Sequence, residues 1–192
     1  MFIEKADKYY YHYPFPVAIV GVMHNNKVNF MAAAWHTQIS FSPPLYGVAI
    51  SPKRFTNKLM ERSKAFSLSF LKYEDYKISG FVGRTSGKDF EKDKLFDINY
   101  IEGRKLNVPV IKNAVCCYEC KVIDHRTYGD HILYVGEIVG IHYDDEFFDK
   151  GISKGLLLYA GNDMYITTKE DSIVKFGKEE VEEILRAKFK GQ

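Results

Sequence analysis

Short apolar runs of strand length follow one another closely along this chain, and few segments have the periodicity of a helix. The first run, residues 16–23, is rich in β-branched side chains and is followed by an Asn-Asn pair that predicts a tight turn into a second strand from residue 28. Residues 65–71 alternate strictly between apolar and polar side chains, which predicts a half-buried strand. Further strands are predicted at 45–50, 114–123 and 132–142, the last two joined by an irregular excursion at 124–131.

Helical character is confined to the segments between and after these strands. Residues 56–63 and 73–81 are predicted to be short helices, and residues 178–189 a C-terminal helical extension. The polar, glycine-containing segment 83–97 is predicted to be a loop or a loop with a turn. Many strands at short spacing with few helices predict one mainly β domain over residues 1–192, a β-barrel core with helices at its edges.

Charge and hydropathy exclude several classes of protein. The formal net charge of this 192-residue chain is +2, which does not favour bulk binding of nucleic acid. Its start has no apolar signal core, and the longest apolar run, residues 15–23, is too short to cross a bilayer. We therefore predict a cytoplasmic protein that binds neither nucleic acid nor a membrane.

The three cysteines do not predict a disulfide framework or a metal site. Cys117 and Cys120 have metal-ligand spacing, but they lie in a predicted strand, where positions three apart face opposite sides of the sheet. The sequence has no Gly-x-Ser-x-Gly nucleophile motif and no Gly-x-Gly-x-x-Gly dinucleotide motif after the first strand. A hydrolase triad and a Rossmann fold are therefore not indicated.

Residues 29–57 combine two features that suit a ligand. Three small residues, 32–34, precede Trp35 and leave the backbone open to a planar ring, which Trp35 could stack against. Ser51, Arg54, Thr56 and Asn57 then surround the start of a predicted helix, where donor side chains and free backbone N–H groups suit a phosphate. Each feature has a structural alternative: a tightly packed barrel strand for the first, and a side-chain-capped surface helix for the second.

Two later segments carry further candidate groups. The donor-rich loop with Ser86, Gly87 and Lys92 could approach a ligand, or it could be a solvated loop. His131 follows Asp130 at the start of a predicted strand, an arrangement that could relay a proton. The alternative for His131 is a hydrogen bond to backbone at a strand edge.

Taken in order, residues 29–35, 42–44, 51–56, 86–92 and 129–137 resemble the flavin reductase-like family, the FMN-binding split barrels that include flavoredoxins and archaeal ferric reductases. The resemblance spans most of the chain, roughly residues 13–163. It implies a mainly β split barrel with peripheral helices and a homodimer that binds FMN non-covalently. It also implies that NAD(P)H is a transient electron donor, and that the acceptor is a small molecule or another protein.

The resemblance also assigns residues to roles. His131 is the candidate proton donor, and the candidate cofactor-binding residues are Ala33, Ala34, Trp35, His36, Thr37, Ser51, Arg54, Thr56, Asn57, Ser86, Gly87 and Lys92. Two alternatives stay open: a flavoredoxin-like electron carrier reduced by a protein partner, and a binding module that has the fold without the cofactor. The sequence places no residue that would distinguish NADH from NADPH.

Overall fold

The computed structural model describes residues 2, 4, 10–149, 152–153, 155–168, 179–180 and 186. Three α-helices lie within residues 10–168: α1 (Phe55–Ser63), α2 (Tyr76–Arg84) and α3 (Lys92–Leu95). The strands are β1 (Phe15–Pro16), β2 (Ala18–His24), β3 (Lys27–Ala33), β4 (His36–Phe41), β5 (Pro44–Ile50), β6 (Ala65–Phe70), β7 (Tyr100–Glu102), β8 (Pro109–Ile111), β9 (Cys116–Tyr128), β10 (His131–Tyr143), β11 (Phe148–Asp149), β12 (Ile152–Ser153), β13 (Leu158–Gly161) and β14 (Met164–Ile166).

A seven-stranded antiparallel sheet forms the centre of the molecule, in the order β3-β2-β6-β9-β10-β5-β4. A second sheet, β1-β13-β14, lies beside it, and two pairs of short strands complete the strand structure. This arrangement, with helices at the edges, confirms the predicted mainly β architecture. Among the described residues no helix has both the length and the apolar character needed to span a bilayer.

The middle of the central sheet is buried on both faces, because successive residues of a strand pack alternately in two apolar clusters. Val20 and Val22 of β2 pack in one cluster with Leu59 and Met60 of α1. Ile19, which lies between Ala18 and Val20 of the first cluster, packs in the other cluster, which also contains residues of α2 and of the segment after α3. The two helices thus lie on opposite faces of β2, and both approach β3, the strand that leads into the candidate site.

Strand β6 departs from the prediction, because all six of its residues are buried rather than every second one. Ser67 donates a hydrogen bond to the carbonyl oxygen of Pro109, and Ser69 donates one to the sulfur of Cys117. Both polar side chains are therefore satisfied under a second layer of structure. An alternating pattern predicts a solvent-facing side only where nothing covers that side.

The prediction of an irregular excursion at 124–131 is wrong, because these residues form the end of a long β-hairpin. β9 and β10 are each 13 residues long and pair almost to their ends. The turn is only Gly129 and Asp130, and Gly129 has a φ of 58°, which glycine adopts at little cost. This turn places His131 at the start of β10, beside the end of β5.

Glu119 of β9 anchors the loop before β8. Its side chain has no exposed surface, and its carboxylate accepts hydrogen bonds from the backbone N–H groups of Arg104, Lys105 and Leu106. His142 Nε2 lies 2.7 Å from the same carboxylate. Burial opposes ionisation of Glu119, but the hydrogen bonds from His142 and the loop outweigh it, so the pKa is lowered.

Most other predicted elements are confirmed with small shifts of boundary. Asn25 and Asn26 have φ values of 50° and 61°, the left-handed turn expected between β2 and β3. The predicted loop at 83–97 contains one short helix, α3, and β13 and β14 had no clear signal in the sequence. The predicted helix at 178–189 falls largely outside the described residues and stays a prediction.

Candidate functional site

A cavity of about 360 Å³ opens where β3 ends and the chain bends toward β4. One side is formed by consecutive residues 31–35, and the other by aromatic residues from distant parts of the chain. Because Ala32, Ala33 and Ala34 have no side chain beyond Cβ, a flat ligand can approach their backbone closely. We call this space the alanine cavity; its lining includes Tyr13, Ala33, Ala34, Trp35, Ser51, Arg54, Arg84, His131 and Tyr159.

Trp35 and His131 form one wall of the alanine cavity. Their ring centroids are 4.5 Å apart and the ring planes are inclined by 43°. His131 Nδ1 lies 2.8 Å from Asp130 Oδ1, and this contact lowers the pKa of the Asp130 carboxyl. The carboxylate therefore holds the imidazole through one nitrogen. The prediction of a His–Asp pair is thus met geometrically, and the structure places the pair at a cavity wall.

A second, smaller cavity of about 200 Å³ adjoins the first and shares Met31, Arg54 and Arg84 with it. It lies between the start of α1 and the loop after α2. We call it the cation pocket, because Lys53, Arg54, Arg84 and Lys92 all line it, together with Asn29, Thr56, Ser86 and Gly87.

The start of α1 presents free donors to the cation pocket. Arg54 is the N-cap residue, its side chain makes no cap hydrogen bond, and the first turn contains no acidic residue. The helix dipole is thus unopposed at this end, where an anion is stabilised. The side-chain cap that the sequence also allowed is not formed; instead Ser51 Oγ accepts a hydrogen bond from Lys53 N at 3.4 Å.

Lys92 is a buried cation on the opposite side of the cation pocket. Only 2% of its surface is exposed, and Nζ donates hydrogen bonds to the carbonyl oxygens of Phe30 and Val82, at 2.8 and 2.7 Å. Burial and the nearby charge of Arg54 lower the pKa of Lys92 to about 8. No carboxylate among the described residues forms an ion pair with Arg54 or Lys92. Two converging cations without a counter-ion are suited to an anionic ligand.

Asn29 supplies an acceptor at the edge of the same pocket. Its Nδ2 donates to Thr56 Oγ1 at 2.8 Å, while its Oδ1 is buried and has no hydrogen-bond partner among the described residues. A Cβ atom at Gly87 would lie 1.9 Å from that oxygen, so only glycine permits this approach. A buried carbonyl oxygen of this kind is available to accept a hydrogen bond from the O–H or N–H group of a ligand or a water molecule.

Three predicted residues lie outside both cavities and have partners within the protein. His36 Nδ1 and Nε2 lie 2.9 Å from the hydroxyl of Tyr46 and the carbonyl oxygen of Pro16, and burial lowers its pKa. Thr37 is exposed and donates to the carbonyl oxygen of Gln38. Asn57 donates to Glu61 and accepts from the hydroxyl of Tyr134.

Several lining residues were not predicted from the sequence. Arg84 lies at the junction of the two cavities, where it forms a two-point ion pair with Asp163. Tyr13 lies just before β1 and Tyr159 lies in β13, and the pairing of β1 with β13 brings the two rings together. No local motif marks these residues, because only the tertiary fold brings them to the site. Among the described residues no cluster of His, Cys, Asp and Glu could hold a metal ion.

Known proteins resemble this chain over most of its length. The family model described as a flavin reductase like domain matches residues 10–168. An uncharacterized protein of Pyrococcus abyssi is 38% identical over 139 residues, which is 72% of this chain and 80% of that protein. A ferric-chelate reductase (NAD(P)H) of Archaeoglobus fulgidus is 32% identical over 105 residues, 53% of this chain and 60% of that protein.

The fold has a close counterpart among solved structures. The crystal structure of an FMN-binding protein from Thermus thermophilus with bound 1-cyclohex-2-enone superposes with a TM-score of 0.83. It is 34% identical to this chain, and the match covers 91% of this chain and 98% of the Thermus protein. The predicted split β-barrel with peripheral helices is thereby confirmed.

Proposed function

Because the chain belongs to the flavin reductase-like domain family, we propose that it binds FMN non-covalently and passes electrons from NAD(P)H to an acceptor. Family membership supports a flavin-related oxidoreductase function. We propose in addition that the flavin is FMN, and we propose the donor and the acceptor. The observation that carries the proposal is the meeting of the alanine cavity with the cation pocket at Arg54.

The residues at this junction fit the three chemically distinct parts of FMN. The alanine cavity offers small residues and aromatic walls to the flat isoalloxazine ring. The cation pocket offers Arg54, Lys92 and the uncapped start of α1 to the phosphate. Between them, the unpartnered Oδ1 of Asn29 suits a hydroxyl donor of the sugar-alcohol chain. Ser51, Thr56, Ser86 and Gly87 complete the proposed contacts.

When bound, the flavin supplies the hydride and electron chemistry, and the protein contributes position and electrostatics. Arg54 and Lys92 neutralise the phosphate and fix one end of the ligand. Ala33 and Ala34 let backbone groups approach the ring edge, and Trp35 limits the access of water. His131, oriented by Asp130, is the group proposed to hold a proton at the cavity wall.

Separate observations support the electron donor and the electron acceptor. NAD(P)H is supported by the name of the ferric-chelate reductase to which part of the chain is similar. A small-molecule acceptor is supported by the open alanine cavity and by the Thermus protein, whose structure contains a small cyclic enone. A protein electron donor, as for a flavoredoxin-like electron carrier, is the alternative that the experiment below distinguishes.

A homodimer is part of the proposal and is supported by exposed apolar side chains on an edge strand. Phe41 and Ile39 of β4 are 85% and 44% exposed, and β4 ends the central sheet, with no described strand paired to its outer edge. Natural proteins rarely leave such an edge uncovered. The proposed interface is therefore the face that carries β4.

The test is flavin titration of the purified protein followed by anaerobic reduction. We expect FMN to bind with a shift in its absorbance spectrum. We expect NADH or NADPH to bleach the absorbance of the bound flavin rapidly. If neither nicotinamide bleaches the bound flavin but reduced ferredoxin does so rapidly, the chain is an electron carrier instead. If FMN does not bind at all, the protein is a barrel without a cofactor and the proposal is wrong.

A further inference from the structure

We propose that a trough beside α2 binds the adenosine half of the nicotinamide dinucleotide, with Asp163 reading the ribose so that NADH is preferred to NADPH. This inference rests on the proposed function, since it concerns the donor of that same site. The trough, which we call the α2 trough, has a volume of about 360 Å³. It is lined by Tyr76, Lys77, Gly80, Phe81, Arg84, Asp163 and Tyr165.

Aromatic rings dominate the α2 trough and suit a purine base. Phe81 and Tyr76 are 47% and 42% exposed, so both rings are accessible to a ligand. The Phe81 ring is stacked against Phe96, with centroids 4.7 Å apart and planes within 11°. Phe81 is thus held on one face and leaves its exposed surface as a rigid platform for stacking.

The charged groups of the trough match the rest of an adenosine phosphate. Lys77 and Arg84 are cations beside the rings, suited to the bridging phosphates. Asp163 is an acceptor-only carboxylate, suited to ribose hydroxyls in the way that acidic residues read the 2′-hydroxyl of NAD elsewhere. The Arg84–Asp163 ion pair is well exposed, with 71% and 56% of the side-chain surfaces accessible. Exposed pairs contribute little stability, so a ligand can exchange partners with them at small cost.

A continuous path connects the α2 trough to the alanine cavity. An intermediate cavity of about 260 Å³ shares Gly80, Arg84, Asp163 and Tyr165 with the trough. The same intermediate cavity shares Arg54, Arg84 and Tyr159, as well as residues 32–34, with the alanine cavity. Gly80 leaves the passage open, since the nearest atom to a Cβ there would be the Tyr165 hydroxyl at 4.0 Å. A dinucleotide can therefore lie with its adenine in the trough and its nicotinamide toward the ring proposed to occupy the alanine cavity.

The carboxylate of Asp163 also sets the expected donor preference. A 2′-phosphate on the adenosine ribose would meet this negative charge, while Arg84 is assigned to the bridging phosphates. NADPH is thus opposed by repulsion, whereas NADH can donate hydroxyl protons to the carboxylate.

The first experiment separates the two halves of the donor. In Phe81→Ser, we expect kcat/KM for NADH to fall roughly tenfold, in the range for loss of one stacking platform. With reduced nicotinamide mononucleotide, which lacks adenosine, kcat/KM is expected to be unchanged. The matched control is Phe90→Ser, since Phe90 is also an exposed phenylalanine, at 50%, and lines none of these cavities. An equal loss with both donors, or no loss with NADH, would overturn the assignment.

Direct binding keeps the inference distinct from the proposed function. We expect ADP to bind the FMN-loaded protein in calorimetry, to compete with NADH, and to bind Phe81→Ser more weakly. If FMN binds and NADH reduces it while ADP does not bind, the assignment of the α2 trough to adenosine is wrong, and the proposed oxidoreductase function is retained. If Phe81→Ser weakens FAD binding but leaves NADH kinetics intact, the trough serves a flavin dinucleotide and the donor assignment fails.

The donor preference has its own test. Asp163→Asn is expected to raise the ratio of kcat/KM for NADPH over NADH by roughly tenfold, because the repulsion between the carboxylate and the 2′-phosphate is removed. An unchanged ratio in a variant that still binds FMN would refute the role of Asp163.

Discussion

Arg54 is the single residue that both cavities share and that the sequence also singled out. It sits at the start of α1 with no carboxylate partner among the described residues. We expect Arg54→Ala to weaken FMN binding by roughly 10- to 100-fold, since hydrogen bonds to charged groups contribute about 1.5–3 kcal/mol. Riboflavin, which lacks the phosphate, should lose little affinity, and titration of both ligands measures the difference.

The control for this substitution lies on the same helix. Arg62 is in the last turn of α1, at the opposite end from the cation pocket, so Arg62→Ala should leave both affinities unchanged. Equal losses for FMN and riboflavin in Arg54→Ala would place the phosphate elsewhere.

Lys92 gives the site a pH dependence whose sign follows from its burial. Its pKa is lowered to about 8, so the free protein loses this charge as the pH rises above that value. A bound phosphate favours the charged form, and FMN affinity should therefore fall between pH 8 and about 10, while riboflavin affinity stays flat. Titrations across this range test the expectation, and Lys92→Met should abolish the slope.

The same residue acts in the opposite direction on stability. Since the pKa is lower in the folded state than in the unfolded chain, the unfolded chain binds more protons between about pH 8 and 10.5. The Lys92 contribution to the free energy of unfolding should thus increase over this range in the ligand-free protein. Urea unfolding at several pH values, compared with Lys92→Met, measures it.

At this scale the sequence predicted the residues whose chemistry is local. Ser51, Arg54 and Thr56 were recognisable because donors cluster beside the start of a helix. Asn29 and Arg84 were not assigned to the site, because their roles depend on a loop and a hairpin that approach them from elsewhere. His36 and Asn57 have the right chemistry, but the fold gives them partners in the interior.

Among the elements, the loop before β8 depends on one buried carboxylate. Glu119→Ala would leave three backbone N–H groups and His142 without their acceptor. We expect it to lower the free energy of unfolding by about 3 kcal/mol or more, as for other buried charged partners. Chemical denaturation measures the loss, and Glu102→Ala on the exposed side of β7 should change little.

The contribution of Glu119 also has a defined pH window. Its pKa is lowered in the folded state, so its stabilisation is present above the ordinary value of 4.5 and is lost as the pH falls through the folded pKa. The difference in free energy of unfolding between the wild type and Glu119→Ala should therefore become smaller as the pH is lowered. A gap that is constant down to the acid transition would contradict this account.

Element boundaries could be predicted where turn chemistry was explicit, as at Asn25 and Asn26. They could not be predicted where a polar sequence belongs to a strand. Residues 124–128 read as an excursion because Asp124, His125 and Arg126 are polar, yet they pair with β10 beyond the region that the core covers. Strand propensity and apolar pattern reflect the burial of side chains. They therefore give no strand signal for this part of the hairpin, whose side chains are exposed.

For the whole molecule, the exposed strand β4 carries the prediction of a dimer. We expect sedimentation to give a dimer for the wild type, and Ile39→Lys with Phe41→Lys to give a monomer, since two apolar side chains become charged at the proposed interface. Ile101→Lys, at a 39% exposed position on β7, serves as the control and should remain dimeric. A monomeric wild type would refute the dimer itself.

The order of the strands in the central sheet determines when the alanine cavity forms during folding. β2–β3, β4–β5 and β9–β10 are local hairpins, whereas β5 and β10 pair Ile50 with Ile132, more than eighty positions apart. Local pairings form quickly and distant ones slowly, so this closure comes late. Because it is the step that brings His131 to Ser51, a chain emerging from the ribosome acquires the complete cavity only after most of its strands have been made.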